Sequence, residues 1–278
     1  MTGKPLSTLL NEIVVAEDLL LPLSQNAARQ GLTVVDGNPS EAELSELFSH
    51  DPVLAATLFR LANSAFYRGL APVAGIDAAL NRVGAERVCS EVRHYCLTAL
   101  AAPPAILLPT YLPALAAHSL GCALGARWLA ERCGYRLLAE TAQMAGLLHD
   151  LGKYALLGGL ERLVGEEPIA PLLGPQLVAG ILADRHVAAG ARLHTDWGLP
   201  AVFAPVIARH HDSPGEGQEL LVVLVRLANL ACRKLGLGWT LEADLVLPTT
   251  AEAQTLGLDE ITLAELEIML EDRLLLEV

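Results

Sequence analysis

Of the eight histidines in this 278-residue chain, five fall with one aspartate in an order suited to metal chemistry: His118, the pair His149-Asp150, His186 and the pair His210-His211. Imidazole nitrogen and carboxylate oxygen are the donors that borderline and harder divalent ions such as Zn, Mn, Fe or Ni take. Helical bundles make metal sites by aiming such groups inward from several helices, so His149, Asp150, His186 and His210 are expected to converge in one pocket. Within a helix, the adjacent side chains of His149 and Asp150 point about 100° apart, enough to serve two ions or to let Asp150 bridge them. Lys153 follows one turn later, where an ammonium can meet a phosphate held near the metal.

Helices must carry these groups. Most of the sequence repeats at helical period with few alternating β-branched runs, so the expected class is all-α. Ser40 with Glu43 forms a capping-box signature for a helix reaching Ser49. Asp51-Pro52 opens the next one; its stripe of Leu54, Leu58 and Leu61 should face a core, and Asn63-Ser64 and Gly69 should close it. Further helices are expected from Ile76 to Val83 and from Ala85 to Leu100. In the second half, Pro113 to Arg132 and Ala139 to Leu157 read as helices, the latter with His149-Asp150 near its middle and Gly158-Gly159 at its end. A Gly/Pro-rich loop from Gly165 to Pro175 precedes a helix from Leu177 to Asp196. Gly198-Leu199-Pro200 then starts one that runs to His211, and Ser213-Pro214-Gly215 breaks the chain. Glu219 to Leu235 and a last helix capped by Thr262 with Glu265 complete the reading.

Composition narrows the function classes. With 53% hydrophobic residues, 18% charged residues and a mean hydropathy of +0.41, the chain is a packed globule rather than a disordered one. Nineteen Lys and Arg against 32 Asp and Glu give a net charge of −13, which repels phosphate backbones and anionic lipid, so neither nucleic acid nor membrane is an expected partner. Five scattered cysteines without a CxxC pair, and a start that lacks signal-peptide features, point to a cytoplasmic setting. The uncharged stretch from Leu97 to Ala117 is interrupted by Pro103, Pro104, Pro109 and Pro113, and it reads as a buried linker rather than a membrane span.

The segment AGLLHDLGKYALL resembles the HD superfamily of metal-dependent phosphohydrolases. HDPVLAATLFRLANSAFY, AALNRVGAERV, HSLGCALGARWLA and RHVAAGARLHTDWGLPAVFAPVIARHH, in that order, narrow the resemblance to the HDOD family, the HD-related output domains of bacterial signalling proteins. It extends from Leu20 to Gly238. It implies a two-lobe helical fold: an N-terminal lobe over 1–105, an HD-like lobe over 106–240, and an extension over 241–278 with a terminal helix. Asn63, Ser64, Phe66 and Tyr67 match a family signature and read physically as a helix end with aromatic anchors, whose exposed side offers a docking surface.

The HD-GYP phosphodiesterases, relatives that cleave cyclic di-GMP, supply the pattern for chemistry. Against it, the first His matches His118, the HD pair His149-Asp150, the Lys Lys153, the next His His186 and the His-His pair His210-His211. The Glu before the first His falls on Ala114 and the final Asp on Asn229, so two carboxylates that would offset metal charge are missing. His50, His94 and His194 lie outside the pattern and carry no role. Cys122, about one turn after His118, reads as a small apolar core residue in preference to a pocket-lining one, and Asp212 as a solvated helix-end charge. The resemblance thus implies a signal-transduction output or scaffold module without catalysis. Such a module would act by regulated contact with signalling proteins such as a receiver or cyclic di-GMP-related domain. The competing class is a metal-dependent phosphohydrolase of nucleotides or cyclic dinucleotides, with the six residues as ligands and Lys153 on phosphate.

Overall fold

The computed structural model describes residues 8, 21–67, 71–166, 173–212 and 219–275; its regular elements are α-helices and short 3-10 turns, with no strand among the described residues. The all-α expectation is met. The helices are α1 (Gln25–Asp36), α2 (Glu41–His50), α3 (Pro52–Ala62), α4 (Ile76–Val83), α5 (Ala85–Ala101), α6 (Leu108–Arg132), α7 (Ala139–Leu148), α8 (Leu151–Glu166), α9 (Pro175–Asp196), α10 (Ala204–Arg209), α11 (Leu220–Lys234), α12 (Ala251–Leu256) and α13 (Glu260–Leu275). No helix among the described residues is long and apolar enough to cross a membrane.

The chain divides into two compact units that interleave along the sequence. The first comprises the described residues of Met1–Phe48, Val53–Pro113 and Asp150–Pro200, and the second those of Ser49–Pro52, Ala114–His149 and Ala201–Val278. In the first unit α1 packs along α5 and α8 along α9. In the second, α11 is the central element, packed against α7, α10, α12 and α13. Residues 221–229 of α11 are all buried, including Arg226 and Asn229.

Local chemistry explains where several helices begin. The Ser40 amide donates to Glu43 Oε2 at 2.8 Å and the Glu43 amide to Ser40 Oγ at 3.3 Å, a reciprocal capping box. The Ser40 amide, first, and its hydroxyl hold the Glu43 carboxyl below its ordinary value. At the start of α6 the cap comes from far away in sequence: the Glu161 carboxylate accepts from the amides of Ile106, Leu107 and Leu108 at 2.6, 2.8 and 3.0 Å. It thereby satisfies donors that a helix leaves without intrahelical partners.

Several expectations are corrected. Leu54 and Leu58 are buried as expected, but Leu61 is only half-buried, and α3 is buried on every side from Pro52 to Phe59 rather than along a stripe. The 97–117 stretch is no buried linker: Ala101 to Pro104 are exposed, because Ala and Pro offer little apolar area to bury, and α6 starts at Leu108, before Pro113. Gly158-Gly159 does not end a helix, since α8 continues to Glu166; Gly costs only ~0.5–1 kcal/mol within a helix, which packing along α8 offsets. The last helix is capped by Asp259, whose Oδ1 accepts from the Thr262 amide at 2.8 Å, not by Thr262. Gly69, residues 167–172 of the Gly/Pro-rich loop, Ser213-Pro214-Gly215 and the first twenty residues apart from residue 8 lie outside the described residues.

Leu58, 2% exposed, lies in the buried run of α3. Leu58→Ala is expected to cost ~2–5 kcal/mol in urea unfolding; a loss below about 0.5 kcal/mol would show that the side chain is not packed.

Candidate functional site

His118, His149, His210 and His211 lie in the second unit. His118 is on α6, His149 follows the last residue of α7, and His210 and His211 follow the end of α10. The His118 and His149 ring centroids are 5.4 Å apart, those of His149 and His210 5.0 Å, and those of His210 and His211 4.2 Å. His118, His149 and His210 are buried; His211 is exposed.

Asp150 and His186 lie in the first unit. Asp150 is 1% exposed; its Oδ2 accepts from Lys153 Nζ at 2.6 Å, and its Oδ1 is 3.5 Å from His186 Nε2. Gly152 is needed for this approach. A Cβ on it would collide with the His186 carbonyl oxygen and the Gly190 amide, so only glycine lets α8 lie this close to α9.

The expected mid-helix position of the His-Asp pair is not found. α7 ends at Leu148, His149 and Asp150 form a turn, and α8 begins at Leu151. The His149 ring reaches back to the Gly146 carbonyl at 2.7 Å, and the Lys153 amide bonds the Asp150 carbonyl at 2.8 Å in a tightened, three-residue step. The expected helix to His211 likewise stops at Arg209, and His210 Nδ1 takes the Val206 carbonyl at 2.9 Å.

One feature unites the buried imidazoles. Nδ1 of His118 bonds the Leu237 carbonyl at 2.9 Å, that of His149 the Gly146 carbonyl, that of His186 the Leu182 carbonyl at 2.7 Å and that of His210 the Val206 carbonyl. A carbonyl only accepts, so each Nδ1 carries the hydrogen, and in the neutral ring Nε2 then carries the lone pair. This is the arrangement in which histidines ligate metals, one nitrogen held by the protein and the other offered to the ion. At His186, a lone pair on Nε2 faces a carboxylate oxygen. A proton on Nε2 or a metal cation between the two atoms makes this 3.5 Å contact attractive. The donor set fits a divalent cation.

Carboxylate charge is scarce. Ala114, half-buried one turn before His118, offers none, and Asn229, buried on α11, is a neutral amide. His194 Nε2 bonds the Pro200 carbonyl at 3.0 Å.

The sequence reading missed the ion pair that holds the His210-His211 turn. Arg226, buried on α11, bonds the Asp212 carbonyl and donates through Nε to Glu252 Oε1 at 2.7 Å; the Glu252 side chain is 4% exposed. The signal was there in LLVVLVRLANLAC, because an arginine inside an apolar helix is buried only with partners. Glu252→Ala leaves the guanidinium buried without its carboxylate and is expected to lower stability by about 3–5 kcal/mol in urea unfolding. Replacing both residues by apolar ones of similar volume should recover most of that loss. Equal losses in the two variants would show that the pair is not coupled.

The family profile of the HDOD domain matches residues 20–213. Among solved structures, the MmoQ response regulator of Methylococcus capsulatus is similar at 23% identity with a TM-score of 0.71, covering 89% of this chain and 97% of its own. An HDOD domain protein of Geobacter sulfurreducens is similar at 25% identity with a TM-score of 0.50, covering 96% of both chains. A virulence factor of Campylobacter jejuni shares the fold at 17% identity with a TM-score of 0.59, covering 95% of both. Comparison with curated proteins gives no match. With a helical fold, ordered His and Asp groups, and a profile that spans most of its length, the chain belongs to the HDOD family.

Proposed function

We propose that the protein is a cytoplasmic output or scaffold module of bacterial signal transduction, working by regulated protein contact. In this reading the divalent-metal ligands are His118, His149, His210 and His211 of the second unit and Asp150 and His186 of the first, serving a structural or sensory role rather than turnover. The metal half rests on the four backbone carbonyls that take Nδ1–H of the buried histidines, which leaves Nε2 as the ligating atom. A bound ion would supply Lewis-acid charge there.

The charge balance supports the absence of turnover. A two-metal hydrolytic centre uses carboxylates to offset the ions and to hold a bridging water whose pKa falls toward neutrality. Ala114 and Asn229 occupy the positions where the HD-GYP pattern has Glu and Asp, and Asp150 already meets Lys153 at 2.6 Å. One engaged carboxylate offsets little. Signalling is supported by family membership and by the likeness to the MmoQ response regulator; in this reading the partner is a signalling protein such as a receiver or cyclic di-GMP-related domain. Phe66, 87% exposed and edge-on to Tyr67 at 4.9 Å, offers an aromatic contact for such a partner.

Elemental analysis of the purified protein, paired with a phosphodiesterase assay in added Mn2+ or Fe2+, tests both halves. Bound metal without hydrolysis is the expected result. Hydrolysis of a cyclic dinucleotide that His149→Ala abolishes would establish the phosphohydrolase reading instead, with Lys153 on phosphate. Protein that takes up no divalent ion overturns the metal half. Ala114→Glu combined with Asn229→Asp is expected to tighten divalent-metal binding in calorimetry; unchanged affinity would show that these positions do not adjoin the ion.

A further inference from the structure

Cys122 stands outside the ligand pattern of the HD relatives, and its sequence context alone favours a plain core role. Its position in the second unit says more. It lies one turn after His118 on α6, is fully buried, and its Sγ is 3.6 Å from His118 Nε2. Donor atoms of His118, Cys122 and His149 all fall within 4.8 Å of one another.

The backbone is built to allow this. At Gly146 a Cβ would collide with the Cys122 carbonyl and press on Ala123 Cα, so glycine lets the α6 and α7 backbones touch at the level of Cys122. The carbonyl of the same Gly146 takes Nδ1–H of His149 at 2.7 Å. One residue therefore both brings Cys122 close to the end of α7 and sets the ring that faces it. His118 is held from the other side by the Leu237 carbonyl, which leaves Nε2 as its ligating atom.

The spacing is that of an S–H···N hydrogen bond from Cys122 to His118 Nε2, and it equally suits two ligands of one metal. Zn–S and Zn–N bonds of about 2.3 and 2.05 Å at a tetrahedral angle place sulfur and nitrogen about 3.6 Å apart. The separation of Cys122 Sγ and His118 Nε2 is 3.6 Å before any ion is added.

We propose that Cys122 is a metal ligand and that, with His118 and His149, it forms a thiolate–bis-imidazole site selective for Zn2+ over Mn2+. The inference rests on the metal-holding reading above and deepens it by naming a seventh ligand and the class of ion. On binding, the Cys122 S–H proton passes to solvent and the sulfur electron pair forms the metal–sulfur bond. His118 and His149 donate their Nε2 pairs without change of protonation, so one proton is released per ion. The thiolate supplies the negative charge that Ala114 and Asn229 do not, and a soft sulfur donor favours Zn2+ over the oxygen-preferring Mn2+.

The test is a Co2+ titration of the full chain followed by Zn2+ competition, on the wild type, Cys122→Ser and Cys122→Ala, with circular dichroism to confirm that each variant is folded. The expected result is a thiolate-to-cobalt charge-transfer band in the near ultraviolet in the wild type only. The band should be displaced by Zn2+, and Zn2+ binding should weaken by at least about tenfold in either variant while Mn2+ binding changes little. The other four cysteines remain in both variants, so loss of the band assigns it to Cys122. Co2+ bound by the wild type with only nitrogen and oxygen signatures, or a band that persists in the variants, overturns the proposal and leaves the histidine-based reading standing. Failure of the wild type to bind Co2+, Zn2+ or Mn2+ overturns both.

Discussion

A buried neutral imidazole has one hydrogen to give and one lone pair to offer, and the backbone decides which nitrogen does which. In this protein a carbonyl takes Nδ1–H at His118, His149, His186 and His210, and the site chemistry depends on that choice. For three of them the carbonyl belongs to the histidine's own helix, three or four residues back. His149 and His210 also stand at the C-cap positions of α7 and α10, where the helix dipole places partial negative charge. The same interaction thus orients a ligand at a position that favours a nearby cation.

Such rings can be grouped only if the helices approach closely, and small residues make that possible. Gly152 permits contact between α8 and the His186 carbonyl in the first unit, and Gly146 permits contact between α7 and the Cys122 carbonyl in the second. In both places glycine acts by its missing Cβ rather than by an unusual dihedral. The buried Arg226–Glu252 pair adds a polar tie where small residues do not suffice, binding the turn after His210-His211 to α11 and α12.

The helical class was legible from periodicity, and so were the capping box at Ser40, the proline start of α3 and the helix over Ile76 to Val83. These signals are local. What the sequence hid was long-range. The cap on α6 is Glu161, more than fifty residues on, and the stripe on α3 vanished because that helix is packed on all sides. The histidine order pointed to candidate ligands, but the breaks at His149 and His210 were not foreseen, since neither carries a helix-breaking residue. At both breaks the ring bonds a carbonyl of the last turn, as the ring of His186 also does inside the unbroken α9. Cys122 looked like filler because its importance lies in a distance to His118 and a glycine on another helix.

The measurement that bears most directly on this arrangement is the tautomeric state of the histidines in the metal-free protein, read from long-range 1H–15N correlations of the imidazole rings at about pH 8, above the ordinary imidazole pKa. His118, His149 and His210 should appear as neutral rings protonated at Nδ1, with Nε2 carrying the lone pair. Rings protonated at Nε2 at these positions would mean that the carbonyl bonds do not hold the donors, and would contradict the reading of these residues as preset metal ligands.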